Sequence, residues 1–242
     1  MLARVLDIVF PRTCAGCGDG PWPFCDACRP ALTVLAPPWC ERCGRPWPVP
    51  VPSCPDCPPS AVSSSRAAFL FTGPARSAIH RLKYRGWRGV GAALAGAMVL
   101  VGPLPRTDVI TWVPLARRRL AERGYDQARL LAEEAGRQLE RPVAGLLRRR
   151  LSTAPQAQRS GKERRMALRG AFEAGRHPVP PRVLLVDDVL TTGATAAACA
   201  EALHAAGARE VHLLAAARSF AGSAYTRAGP RPGLWLPGDI LR

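Results

Sequence analysis

Asparagine is absent from this 242-residue chain, and lysine nearly so: only Lys83 and Lys162 occur among 34 basic residues. With alanine and proline abundant, this reads as a coding bias away from A/T-rich codons. Such a bias accounts for arginine over lysine but not for the shortage of acids. Asp and Glu number 18, which leaves a formal net charge of +16. The first partner that such a field suggests is a polyanion, either nucleic acid or a phosphorylated ligand. Long apolar runs are also missing. The longest, residues 90–101, is short and broken by glycines, so no membrane insertion is expected. The first eleven residues place apolar side chains at helical spacing, but Asp7 interrupts what a secretion signal needs as its core, and no small-residue cleavage site follows. The expectation is a short amphipathic helix in a cytoplasmic protein. The chain has no G-x-x-x-x-G-K, no G-x-G-x-x-G and no G-x-S-x-G, which excludes a P-loop, a dinucleotide turn and a serine-hydrolase elbow.

What is present suits a globular protein with one sizeable core and a small extra module: 48% hydrophobic and 21% charged residues. Eight of nine cysteines form four C-x-x-C pairs, Cys14/Cys17, Cys25/Cys28, Cys40/Cys43 and Cys54/Cys57. Two residues between thiols let both sulfurs face one ion, and a zinc tetrahedron needs four. Two structural zincs are expected, closed by thiolate and therefore not catalytic. Gly18 and Gly44 follow the first and third pairs, as a knuckle turn with positive φ requires. This order suggests tandem ribbons, pairs one with two and three with four, while spacing alone leaves an interleaved arrangement open. The metals take the place of a hydrophobic core in a proline-rich stretch. Trp22, Trp39 and Trp47 are expected to pack over the zinc loops, with stacking on bases as the alternative. A Pro- and Ser-rich segment, residues 58–65, marks a module boundary.

From residue 67 the pattern alternates strand and helix, which implies a mostly parallel sheet covered on both faces. Strands are expected at 67–71, 109–113, 182–186 and 210–216, and helices at 75–84, 90–101, 126–140 and 195–206. Asp126 is the expected N-cap of the third helix, and Gly207 closes the fourth. The informative stretch is Val-Leu-Leu-Val-Asp187-Asp188-Val-Leu-Thr191-Thr192-Gly193-Ala194-Thr195. An apolar strand delivers two carboxylates, and a hydroxyl-rich loop then opens a helix. Amide groups at a helix start, with hydroxyls beside them and a glycine permitting close approach, suit a phosphate. Paired carboxylates suit the hydroxyls of a sugar.

This segment resembles, position by position, the phosphoribosyl pyrophosphate (PRPP) motif of type I phosphoribosyltransferases. The resemblance implies that Asp187 and Asp188 meet the ribose hydroxyls and that Thr191, Thr192, Gly193, Ala194 and Thr195 hold the 5′-phosphate. Further stretches resemble the ComF family: Ile79 to Gly86, Val113-Pro114-Leu115, Arg117 to Gln127, Thr153 to Gln156, Arg164-Arg165 and Gly170-Ala171-Phe172. The eight-cysteine start is similar to that family's double zinc ribbon. The resemblance covers roughly residues 1–218. The chain departs from the family pattern where Asp126 and Ala167 stand in place of asparagine. The implied fold class is α/β, a type I phosphoribosyltransferase fold (a mostly parallel sheet flanked by helices) with a small N-terminal zinc-ribbon module. The zinc ribbons would occupy residues 1–60, the phosphoribosyltransferase-like domain 66–220 and a tail without motif 221–242.

The resemblance also implies a mechanism. PRPP needs a second anion site, and Mg2+ normally bridges its ribose hydroxyls and pyrophosphate oxygens. Leu115, Arg117 and Arg118, after the second strand, are the candidates for the pyrophosphate, with a solvated basic turn as the alternative. Asp187, Asp188 and Arg117 are the candidate catalytic residues. The polar segment 151–169 is similar to the lid of such enzymes, with Gln156, Lys162, Arg164 and Arg165 facing the ligand. Cys199 is expected in the core, His80 is functional by resemblance, and His177, His204 and His212 are expected at the surface or in packing. Two functions follow. One is transfer of phosphoribosyl to an unidentified acceptor with release of pyrophosphate. The other is a non-catalytic PRPP sensor, or a single-stranded DNA binder or adaptor in DNA uptake during natural transformation, with the zinc module docking a competence helicase or another protein. Charge placement bears on this. Residues 1–60 hold five arginines and five acids, whereas 106–182 hold 18 basic against 8 acidic residues. The positive field therefore surrounds the expected PRPP site rather than the zinc ribbons, and DNA contact is expected on that same face.

Overall fold

The computed structural model describes residues 13–55, 57, 60–150, 168 and 170–220. The expected N-terminal helix, the lid residues Gln156, Lys162, Arg164 and Arg165, and the tail lie outside these. In chain order the elements are β1 (Ser64–Leu70), α1 (Gly73–Tyr84), α2 (Val90–Val99), β2 (Val109–Trp112), α3 (Arg117–Arg123), α4 (Gln127–Leu139), β3 (Leu147–Arg149), β4 (Phe172–Ala174), β5 (Arg182–Leu190), α5 (Ala194–Ala205) and β6 (Glu210–Arg218).

The centre is a parallel sheet in the order β1-β6-β5-β2. Its middle strands, β5 and β6, are covered on both faces, so they read as near-continuous apolar runs. On one face Ile79, Leu82, Leu94, Met98 and Leu131 of α1, α2 and α4 pack on Leu184, Val186 and Leu214. On the other, Cys199 and Leu203 of α5 and Leu147 and Phe172 of the β3–β4 hairpin pack on Val183, Leu185 and Leu213. Small residues bring the layers close: a Cβ on Gly91 of α2 would meet Leu130 of α4 at 2.1 Å.

Both sheet edges are covered, which prevents edge-to-edge pairing with other chains. Beyond β2, Val143 pairs in parallel with Ile110, whose N–H donates to Pro142 O at 2.9 Å. Beyond β1, Val34 pairs antiparallel with Phe69, and Leu70 N–H donates to Thr33 O at 2.8 Å. The chain leaves β2 for Val143 through α4 on one face and leaves β5 for β6 through α5 on the other. Its winding reverses between β2 and β5, and the crevice at the carboxyl ends of those strands is where an open α/β sheet takes its ligands.

Each strand and helix expected from residue 67 onward is present, with three differences of substance. β5 continues to Leu190, so Asp187 and Asp188 lie inside the strand and not beyond it. Residues 117–123, expected as a basic loop, form α3, which buries no residue and so has no apolar face to read; Gly124, at φ 76°, ends it. The β3–β4 hairpin has three residues a side, too few to show an alternating pattern. The zinc-binding stretch shares the main core: Cys14, Phe24, Leu32 and Trp39 are buried with Phe69, Ile79 and Leu94. The Pro- and Ser-rich segment runs directly onto the sheet, with Val62 buried and Ser63 N–H donating to Val211 O at 2.8 Å.

Candidate functional site

The cysteine pairs gather into two sets, Cys14/Cys17/Cys25/Cys28 and Cys40/Cys43/Cys54/Cys57, each with its sulfurs within 4.8 Å of one another. The pairing is tandem. Sulfur separations of 3.7 Å for Cys17–Cys25, 3.6 Å for Cys43–Cys54 and 4.0 Å for Cys40–Cys57 match the roughly 3.8 Å edge that a Zn–S bond of ~2.3 Å gives a tetrahedron. These are two zinc sites, each built from four cysteines. Burial by itself would raise the Cys14 thiol, but the N–H groups of Cys25, Cys17 and Gly16, the first and last of them 3.3 Å from its sulfur, together outweigh burial and bring it down to about 6. Gly18 and Gly44 turn the knuckles with φ of 99° and 67°. Trp39 is buried between Gly102 and the Arg66 guanidinium, 4.7 Å from its ring, while Trp22 and Trp47 pack beside the first and second sites. Packing is thus the role of Trp39, which has no face to offer a base.

Arginines fasten the ribbons to the sheet and to α1, with Arg66 and Arg218 buried and Arg81 half-buried. Arg66 of β1 donates to Glu41 O at 2.7 Å and to the Glu41 carboxylate, and Arg81 of α1 donates to Cys14 O at 3.1 Å. Arg218 of β6 donates to Cys43 O, and Ser65 N–H to Arg42 O at 2.8 Å. The second ribbon consequently borders the loop before α5. A groove there has Arg42, Cys43, Cys57 and Ser65 on one side and Thr192 and Gly193 on the other.

Strand alternation sends the paired acids to opposite faces of β5. Asp188 points toward α1 and α4. Its Oδ1 receives Lys83 Nζ at 2.6 Å, and its Oδ2 receives Gln127 Nε2 at 2.6 Å. Gln127 in turn accepts from Arg123. Asp187 is half-buried, and its Oδ1 accepts the Asp188 N–H at 2.8 Å. Burial first, and then the Asp188 carboxylate, push the Asp187 carboxyl up to about 8 against the opposing pull of Lys83.

The loop that follows has Thr191 and Thr192 exposed, Gly193 at φ 78°, Ala194 buried and Thr195 half-buried in the first turn of α5. Thr192 Oγ1 accepts the Ala194 N–H at 3.4 Å. At the end of β2, Leu115 N–H donates to Asp126 Oδ2 at 2.9 Å, while Asp126 Oδ1 caps α4 through Ala128 and Arg129. Asp126 accepts all three bonds and donates none, so a carboxylate meets every contact here without an amide. Arg117 and Arg118 are exposed on α3, and Arg118 pairs with Glu122 at 2.8 Å. Cys199 is fully buried, which holds its thiol well above the ordinary range. The His80 ring lies 4.6 Å from that of Tyr84, tilted by 48°; His204 bridges the Ala61 and Ala208 carbonyls.

Sequence reasoning singled out neither Lys83 nor Gln127 as site residues. The signal was there. Lys83 lies one turn after buried Ile79, and Gln127 one turn before buried Leu131, so each is a polar residue on the apolar stripe of its helix.

The chain is similar to known proteins over most of its length. Residues 5–58 match the double zinc ribbon domain. Competence protein F of Haemophilus influenzae is 29% identical over 81% of this chain and 90% of its own length. The DNA utilization protein YhgH of Escherichia coli O6:H1 is 32% identical over 80% of this chain and 89% of its own. Competence protein ComFC of Bacillus subtilis is 27% identical over 71% and 73%. Among solved structures, the glutamine PRPP amidotransferase of B. subtilis, complexed with ADP and GMP, superposes with a TM-score of 0.37 at 25% identity. It matches 52% of this chain, which spans only 26% of that longer one. With its tandem four-cysteine sites and a curated relative at 32% identity along four-fifths of its length, the chain belongs to the ComF family of competence and DNA utilization proteins.

Proposed function

We propose that the chain binds PRPP with Mg2+ in the crevice at the carboxyl ends of β2 and β5, as a phosphoribosyltransferase-like protein of DNA uptake. The observation that carries this reading is the run from Asp187 to Thr195. A carboxyl pair lies in the last part of a buried strand, two residues before its end, and the hydroxyl-lined turn after that strand, at a positive-φ glycine, opens a twelve-residue helix. In this reading the 5′-phosphate meets the N–H groups that open α5 and the Thr191, Thr192 and Thr195 hydroxyls. The pentose hydroxyls meet the carboxyl pair, and the pyrophosphate lies toward Leu115, Arg117 and Arg118. The donors around the crevice are hard oxygens, which suit Mg2+ held mainly by the ligand's own oxygens and water. When bound, that ion neutralises charge on the departing pyrophosphate. The chain's own part is to anchor the phosphate, orient the pentose and place arginines where charge develops as the C1′–oxygen bond breaks. Gln156, Lys162, Arg164 and Arg165 would close over the ligand. Calorimetric titration with Mg-PRPP, together with a pyrophosphate-release assay, tests this. Wild type is expected to bind, and Asp187→Ala/Asp188→Ala to lose binding. A wild-type chain that binds no PRPP ends the reading.

A second reading, single-stranded DNA binding, is favoured by a strip of arginines on aromatic rings beside the same crevice. Arg123 lies over Tyr84 at 5.2 Å, Arg81 over Trp87 at 4.9 Å and Arg88 over Tyr125 at 4.7 Å. Tyr84 itself is 64% exposed. Cations interleaved with stacking faces suit an unpaired strand. Fluorescence anisotropy with labelled oligonucleotides should show weaker binding for Tyr84→Ala and Arg123→Ala, and unchanged binding in both variants would count against this strip.

A further inference from the structure

The groove between the second ribbon and the loop before α5 sets Arg42 and Cys43 opposite Thr192 and Gly193, over an apolar floor that includes Leu190 and Leu213. Among the described residues, none of the first ribbon lines it. The ribbon wall is fixed to the sheet at several points. Ser65 N–H donates to Arg42 O at 2.8 Å, and the knuckle lies so close to β1 that a Cβ on Gly44 would meet Ser65 O at 2.1 Å. Arg218 donates to Cys43 O, and the next residue, Ser219, donates its N–H to Leu190 O at 2.9 Å. Leu190 directly precedes Thr191. Hydrogen bonds thus lead from a zinc ligand to the start of the hydroxyl-rich loop.

Charge decides what this groove takes. A zinc closed by four thiolates carries two negative charges, which by themselves repel an anion. Two buried guanidiniums stand against them: Arg66 lies in the field of Cys40 and Cys43, and Arg218 in that of Cys43 and Cys54. Arg42 is a further cation with a different situation. It is half-buried, and its Nη2 donates to Ser60 O at 3.3 Å, which holds the guanidinium at the rim of the groove. Among the described residues no carboxylate pairs with it, so most of its five donors are open to a ligand. Across the groove stand the Thr192 hydroxyl and the first N–H groups of α5. A cation facing such a loop suits an anion with several oxygens, and a guanidinium suits a phosphate.

We propose that the second ribbon is one wall of the phosphate subsite: Arg42 is the ribbon's own contact to a terminal phosphate held by the loop, and the second zinc and the phosphorylated ligand raise each other's affinity. This rests on the reading of that loop as the seat of a sugar phosphate. It makes the second ribbon part of the ligand site and leaves the first as a support of the core.

The test uses the full chain, at a temperature where each variant is folded. Calorimetry measures the affinity of wild type, Arg42→Met and Arg42→Lys for ribose 5-phosphate and for inorganic phosphate, with zinc content checked in each. Arg42→Met is expected to lose ~10- to 100-fold for both probes, the range of one or two charge-assisted hydrogen bonds. Arg42→Lys should recover part of that loss, because an ammonium supplies the charge without the fork. Cys40→Ser, which opens the second zinc site, should lose at least as much as Arg42→Met, while Cys14→Ser, which opens the first, should bind as wild type. Linkage is reciprocal. Saturating ribose 5-phosphate should therefore raise the chelator concentration needed to remove one of the two zincs, and Arg42→Met should abolish that protection. Wild-type affinity in Arg42→Met, or a second zinc that the ligand does not protect, would overturn the proposal. If Cys40→Ser does not fold, the Arg42 variants and the zinc protection of wild type decide the matter. If wild type binds inorganic phosphate but not ribose 5-phosphate, the sugar-phosphate reading fails by itself, and the ribbon wall is still read from phosphate binding in Arg42→Met. A wild type that binds neither anion refutes the wall as well.

Discussion

The guanidinium of Arg218, the last residue of β6, donates to the backbone carbonyl of Cys43, a zinc ligand 175 positions earlier. Arg218 is 7% exposed, and burial lowers its pKa from the usual arginine range. The contact joins the second zinc site to the end of the sheet beside the loop that precedes α5. Arg218→Met should cost ~2–4 kcal/mol, because it leaves a buried carbonyl unpaired and removes a charge-assisted bond. Urea titration measures the loss. Chelator competition should show the second zinc leaving faster than in wild type, while the first is retained.

Zinc removal should unfold more than the ribbons. Cys14, Phe24 and Trp39 are buried in one cluster with Phe69, Ile79 and Leu94, so the sheet leans on the first site. Metal analysis should find two zinc ions per chain, and Cys14→Ser or Cys40→Ser one. Stripping both should lower the melting temperature by ~10 °C or more, given the several kcal/mol that a structural zinc contributes. A sheet that melts unchanged after zinc removal would contradict the shared core.

Asp126 serves two elements at once, capping α4 and holding Leu115 at the end of β2. Asp126→Ala should cost ~1–2 kcal/mol, whereas Asp126→Asn, which keeps an acceptor oxygen for the cap, should cost less than half of that. Thermal melts measure both. Because Leu115 leads into α3, the alanine variant should also show faster amide exchange at residues 115–123 than the asparagine variant.

The Asp187 carboxyl, raised by burial and by Asp188 to about 8, has a definite sign of linkage. In the folded chain it keeps a proton that the unfolded chain gives up near pH ~4. The unfolded state therefore binds fewer protons between about pH 4 and 8, and the Asp187 contribution to stability falls as pH rises through that window. Melting temperatures across the window should decline more steeply for wild type than for Asp187→Asn. Parallel curves would mean that the carboxyl is already ionised.

Much of this molecule can be read from residue order. The C-x-x-C spacing specifies two zinc sites because metal geometry is local, and the apolar runs 182–186 and 210–216 announce central strands because both faces of each are buried. The Asp187–Thr195 run is legible for the same reason: strand, turn and helix start are consecutive. Tandem pairing of the cysteines, which spacing left open, is decided by the folded chain. So is α3, whose seven residues bury nothing and leave no periodicity to detect. The difference in environment between Asp187 and Asp188 is likewise tertiary. It depends on β5 running on to Leu190, which turns adjacent residues to opposite faces, and on Lys83 and Gln127 arriving from helices 105 and 61 positions away. Local sequence determines which groups are available and how a turn can present them. Only packing across the sheet decides which of two identical carboxyls is sealed by a cation and which is left half-open.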